Sequence, residues 1–228
     1  MSSNRDLSEF TLTSLATVDG QIYLNSNGSL DSFAAPSLSE VDGSIQMHSN
    51  NGLEEVVFDN LTTVEGEVRL ESNNNIQLVS LPALTELSSQ LYLYYNTSLE
   101  TLDVSSLAEI GSSLYLQNNY QLEIVNISSL VKVNGSVYIY SANQMDELDM
   151  TALEEVNGAF TLSNCSSISS LSAPNLNDLS GSLTIRDNGD LSSIDLTSLT
   201  CVDDFTIVGN DMDDDDTRDL KLHITSGC

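Results

Sequence analysis

The sequence predicts an all-β chain: a right-handed parallel β-helix of about nine 23-residue rungs with an irregular C-terminal cap. Three observations predict it. A motif returns at a constant step, apolar residues alternate inside it with period two, and an asparagine holds a fixed slot in most copies.

The repeat comes first. Its copies read GQIYLNSNGSL from Gly20, GSIQMHSNNGL from Gly43, GEVRLESNNNI from Gly66 and SQLYLYYNTSL from Ser89. They continue as SSLYLQNNYQL from Ser112, GSVYIYSANQM from Gly135, GAFTLSNCSSI from Gly158 and GSLTIRDNGDL from Gly181. Each starts 23 residues after the last (43 − 20 = 23). A copy with one residue deleted, DFTIVGND, follows from Asp204, and an incomplete copy with Leu7, Phe10, Leu15 and Val18 precedes them all. The reading divides the chain into a solenoid, 1–210, and an acidic cap, 211–228.

Within a copy the elements follow in order. Alternation such as Ile22-Tyr23-Leu24 marks a strand with one buried face. Asn follows the second apolar residue at Asn27, Asn50, Asn73, Asn96, Asn119 and Asn188. At the corner where the chain turns, backbone groups lie inside, and a stacked amide can both donate and accept. Leu30 and its equivalents return to the core, and a second alternating pair follows, such as Phe33/Ala35 or Leu102/Val104. Leu38 and Val41, with their equivalents, lead back to the glycine. No segment has helical length and period. One rung cannot bury its own face, so stability is a nearest-neighbour property. The asparagine ladder lapses at Ala142 and Cys165; Cys165 then faces inward as a small hydrophobe.

Charge narrows the function classes. The chain carries 34 acidic and 6 basic residues, a formal charge of −28. That argues against nucleic acid, which needs basic surface, and against anionic membranes. No apolar run approaches a membrane span. The start, MSSNRDLSEF, has no apolar signal core, as expected of a cytosolic chain or of one whose signal has been removed. His48 and His223 lack the spacing of a metal or nucleophile site, and an enzyme is not expected.

The pattern GSLTI…N…L…I…SL…V.G resembles the receptor L-domain family, and the asparagine segment resembles the LxLxxN of leucine-rich repeats. Val41 to Gly66 and Leu179 to Leu199 match best. The resemblance implies a solenoid of the kind found in receptor ectodomains and in cell-surface and wall proteins. Its even spacing, few cysteines and lack of Trp place it nearer the wall and surface branch; no receptor-type ligand site carries over.

Outward positions of the first strand align as columns. Tyr92, Tyr115 and Tyr138 share one, and Tyr94 and Tyr140 lie two residues on. Two readings stay open: a ladder that stabilises the sheet, or a platform for a glycan or protein partner. Acidic columns (Asp31, Glu54, Glu100, Glu123, Asp146; and Glu40, Glu86, Glu109, Glu155, Asp178) serve solubility or bind calcium. Asp211, Asp213 and Asp215 imitate the start of an EF-hand loop, but Asp216 and Leu222 break its pattern. Cys201 and Cys228 are candidates for a disulfide stapling the cap, which would imply an oxidising compartment. Asn60, Asn126 and Asn134 are the better glycan acceptors among the Asn-X-Ser/Thr sites.

The expected function is recognition or adhesion by an extracellular or cell-surface protein without a cofactor. The alternative is a structural wall, matrix or fibre protein assembling end to end. Ice binding is a third reading, with only Thr161, Thr184 and Thr206 in the outward column.

Overall fold

A computed structural model describes residues 1–227, apart from the side chain of Lys221. The chain is a parallel β-solenoid of about nine turns. Each full rung contributes a four-residue strand, a three-residue strand and a two-residue strand to three separate faces. The four-residue strands form one continuous nine-stranded sheet running from Ile22–Asn25 to Phe205–Val208. Its register is the sequence period: Leu91 pairs with Leu114, and Leu114 with Val137. The step shortens only at the end, where Leu183 pairs with Phe205 across the deleted residue.

The expected inward positions form the core. In the rung from Gly43, Ile45, Met47, Leu53, Val56, Phe58, Leu61 and Val64 are all buried. The glycine column has a steric cause. A Cβ on Gly43 would lie 2.6 Å from the carbonyl oxygen of Gly20, so these two rungs reach their observed distance only without a side chain at Gly43; Ser89 and Ser112 hold the same position in the middle rungs.

The asparagines bond as one ladder. The Asn27 side-chain amide donates to Asn50 Oδ1 at 3.0 Å, Asn50 to Asn73 at 3.2 Å, and Asn73 to Asn96 at 3.3 Å. Each Oδ1 also accepts the backbone N–H of the preceding asparagine, as Asn73 Oδ1 does from Asn50 at 2.9 Å. Each amide nitrogen also donates to a carbonyl of the preceding rung, as Asn73 does to Met47 at 2.9 Å. The ladder is longer than the sequence reading: Asn4 donates to Asn27 and Asn188 to Asn210. The residue before each asparagine takes a left-handed conformation, φ 53–57°, and is a non-glycine in every rung until Gly209.

Two adjacent inter-rung interfaces lack the asparagine bond, and the first of them, between Asn119 and Ala142, also divides a sheet. Ala142 and Cys165 have no amide, so nothing in that slot replaces the oxygen that would accept from Asn119. At that first interface the three-residue face divides: Ile124–Asn126 ends one sheet and Glu147–Asp149 begins the next. The long face stays paired across this seam, Tyr115 stacks on Tyr138, and Lys132 Nζ lies 2.8 Å from Glu155 Oε1. The Glu155 hydrogen bond holds the Lys132 ammonium above its ordinary pKa, and the same bond holds the Glu155 carboxyl below its own.

Cys165 is buried. Desolvation pushes its thiol up to about 11, outweighing the backbone hydrogen bonds that lower it. Below about pH 9 the neutral thiol contributes its full stability; that contribution is lost as the pH rises toward 11, because the unfolded chain ionises first. We expect iodoacetamide at pH 8 to leave Cys165 unmodified in the native protein and to alkylate it in urea. Rapid native labelling read by mass spectrometry would contradict this burial.

The C-terminal segment is helical over Asp214–His223. Asp213 caps it by accepting from the Asp216 N–H at 2.7 Å, and Asp214, Asp215 and Asp216 lie in the first turn, where acids suit the helix dipole. Thr225–Ser226 then pairs with Cys201–Val202, covering the end of the two-residue face. No helix among the described residues is long and apolar enough to cross a membrane.

Candidate functional site on the long-strand face

The outward side chains of the long strands build the site. Strand alternation sends Leu91 and Leu93 into the core and Tyr92 and Tyr94 to the surface. Parallel register then places Tyr92 beside Tyr115 and Tyr115 beside Tyr138. The ring centroids lie 5.4 and 5.0 Å apart. The second pair is nearly parallel, at 10°, and stacked, so these rings cover part of each other's faces. Tyr94 tilts against Tyr92 at 6.0 Å. Tyr140 is two rungs from Tyr94 in the same column, with Gln117 between them, and is 38% exposed.

Arg69 closes the column at its N-terminal end. Its guanidinium lies 4.2 Å from the Tyr92 ring centroid and 2.7 Å from Glu71 Oε2. Burial alone would lower the Arg69 pKa, but the hydrogen bond and charge of Glu71, with Tyr92 and Glu67, raise it. Burial raises the Tyr92 phenol despite the opposing effect of Arg69. Arg69 is therefore cationic and Tyr92 neutral at physiological pH. Glu67 accepts from Gln46 Nε2 at 2.6 Å and from Gln90 Nε2 on its other side. The aromatic rail thus has a rim of amides and carboxylates, joined by His48, 3.6 Å from Glu71.

Two residues outside the aligned columns extend the cluster. Tyr95 at the corner approaches Tyr94 at 6.1 Å and Tyr120 at 6.3 Å, edge to face with the latter. Tyr95 and Tyr120 are 25 positions apart (120 − 95), off the 23-residue period, so column alignment does not pair them.

The other candidates resolve individually. Asp213 is the helix cap and Asp215 pairs with Arg218 at 2.9 Å, while Asp211 is exposed. The EF-hand-like spacing therefore serves a helix start and its ion pair. Among the described residues no group of three or more His, Cys, Asp or Glu is arranged to hold a metal ion. Cys201 is disulfide-bonded; its expected partner, Cys228, lies outside the described residues. Asn60 is exposed, donating to the Pro36 carbonyl, whereas Asn126 and Asn134 are half-buried. Asn27 and Asn96 are buried in the ladder, which closes their Asn-X-Ser/Thr sites in the folded chain. Thr161, Thr184 and Thr206 continue the tyrosine column in register.

These features define the chain as a β-solenoid with an aromatic rail on one face. No family model, curated protein or solved structure matches the chain.

Proposed function

We propose that the protein is a non-enzymatic, secreted or cell-surface recognition protein that binds neutral polysaccharide through the long-strand face. The observation that carries this reading is the row Tyr92, Tyr115 and Tyr138, with ring centroids 5.0–5.4 Å apart. It offers phenol groups at a regular step, with Tyr94 and the more open ring of Tyr140 beside it. A polymer of flat pyranose rings is itself periodic: its apolar faces suit exposed tyrosines and its hydroxyls suit the rim of Glu67, Glu71, Gln90 and Gln117. The net charge of −28 disfavours acidic polymers. The disulfide at Cys201 and the resemblance to L-domain repeats support a location outside the cytosol. A fibre reading has less support. The edge strand Phe205–Val208 is paired on one side only, but Asp203, Asp204 and Asp211 surround it with charge.

A binding panel tests the proposal. We expect saturable binding of the purified monomer to at least one neutral oligosaccharide series among cello-, manno- and chito-oligosaccharides, and none to hyaluronan or heparin. Binding to acidic polymers alone, or to no glycan, would overturn it.

A further inference from the structure

We infer that Tyr95 and Tyr120 form a second arm of the platform that receives a side branch of the polysaccharide, an inference that rests on the polysaccharide reading. Two independent departures from the repeat carry it. The first is Tyr95 itself. The corner position is left-handed in every rung, and its other occupants are small: Ser3, Ser26, Ser49, Ser72, Asn118, Ser141, Asn164, Asp187 and Gly209. Tyr95 adopts the same conformation, φ 57°, which a bulky side chain takes only under strain. It is 41% exposed, so core packing does not compensate. The second departure is Tyr120. Its equivalents in the flanking rungs are Thr97 and Asn143, and one rung further back Asn74, all polar. These two exceptions stand in adjacent rungs and meet each other edge to face.

Their placement gives the aromatic surface two directions. The rail from Tyr92 to Tyr138 runs along the solenoid axis, crossing one rung at each step. The arm from Tyr92 through Tyr94 to Tyr95 runs along a single rung to its corner, where Tyr120 joins it. A linear chain lying on the rail leaves the arm empty. A chain with a single-sugar branch fills both, with the branch ring against Tyr95 and Tyr120 and its hydroxyls near Asn118 and Thr97. The ligand class is therefore a neutral polysaccharide with short side branches.

Calorimetric titration with paired ligands tests this. The pairs share a backbone: cello-oligosaccharides against xyloglucan oligosaccharides, and manno- against galactomanno-oligosaccharides. We expect the branched member of at least one pair to bind about ten-fold more tightly, the scale of one aromatic contact. Tyr95→Asn and Tyr120→Asn should each bring that ratio close to one. Tyr95→Asn should also raise the urea midpoint by relieving the left-handed strain, so unfolding does not explain the loss. Tyr23→Ser, an exposed tyrosine on the early rungs, should leave the ratio unchanged. Equal binding of linear and branched ligands by the wild type would overturn the branch arm and leave the polysaccharide reading standing. So would a preference that survives both substitutions. Binding of neither member of either pair overturns the arm, and the wider panel then decides the reading beneath it.

Discussion

Asn73→Ala is expected to lower stability by about 4–6 kcal/mol, more than removal of most single core methyl groups. Asn73 Oδ1 accepts two bonds from Asn50, and its amide donates to Met47 and Asn96. Alanine removes all four contacts at a fully buried position. The Asn50 backbone N–H then has no acceptor in the dry corner, at a cost of about 1–3 kcal/mol, and the other lost bonds contribute roughly 1 kcal/mol each. Urea unfolding followed by circular dichroism measures the effect; a midpoint within about 0.5 kcal/mol of the wild type would show that the ladder is not what holds the corner. The opposite change belongs at the seam. Replacing Ala142 and Cys165 together by Asn is expected to join the two ladder segments and raise the midpoint, if the corner accommodates the added volume as it does in the other rungs.

The second large effect concerns binding. Tyr94→Ser combined with Tyr140→Ser is expected to weaken polysaccharide binding at least 30-fold, about 2 kcal/mol, the scale of an aromatic hot spot. Both residues lie on the outer face and neither fills the core, so the urea midpoint should move by less than about 0.5 kcal/mol. Tyr115→Ser with Tyr138→Ser is the contrasting pair. Those rings stack on each other across the seam, and their loss is expected to cost about 1–2 kcal/mol of stability. On the polysaccharide reading the rail of Tyr92, Tyr115 and Tyr138 therefore both holds the sheet and carries the ligand, whereas Tyr94 and Tyr140 serve binding with little effect on stability. An unchanged affinity in the Tyr94/Tyr140 variant would remove the platform role.

Much of this architecture was legible because every rung meets its neighbour at the sequence period. Aligned copies are aligned columns, so the buried residues, the asparagine slots and the tyrosine rail follow directly. The failures occur where the period is disturbed. Asn4 sits in an incomplete copy, and Asn210 lies one residue early because of the deletion, so neither looked like a rung of the ladder. The left-handed corners carry mostly serine, which gives no glycine signal. Tyr95 and Tyr120 meet along a diagonal that no column contains. The C-terminal aspartates read as a polar cap, although Asp213 before Asp214–Asp216, with Arg218 following, is a helix-start pattern in its own right. The divided three-residue sheet has no sequence signal at all, since Ile124–Asn126 and Glu147–Asp149 carry the same alternation as their neighbours.

The even register also sets how the molecule would respond to force. A rung held only by the rungs on either side shares no contacts with distant ones, so tension applied at the two chain ends is borne by the terminal rung alone. The solenoid would then ravel like knitting, one row at a time. Each row releases 23 residues, or roughly 75–85 Å of slack chain. A globular domain of this size gives way once. This chain would give way repeatedly in small equal steps, with the row beside Ala142 yielding at lower tension than those stitched by asparagine.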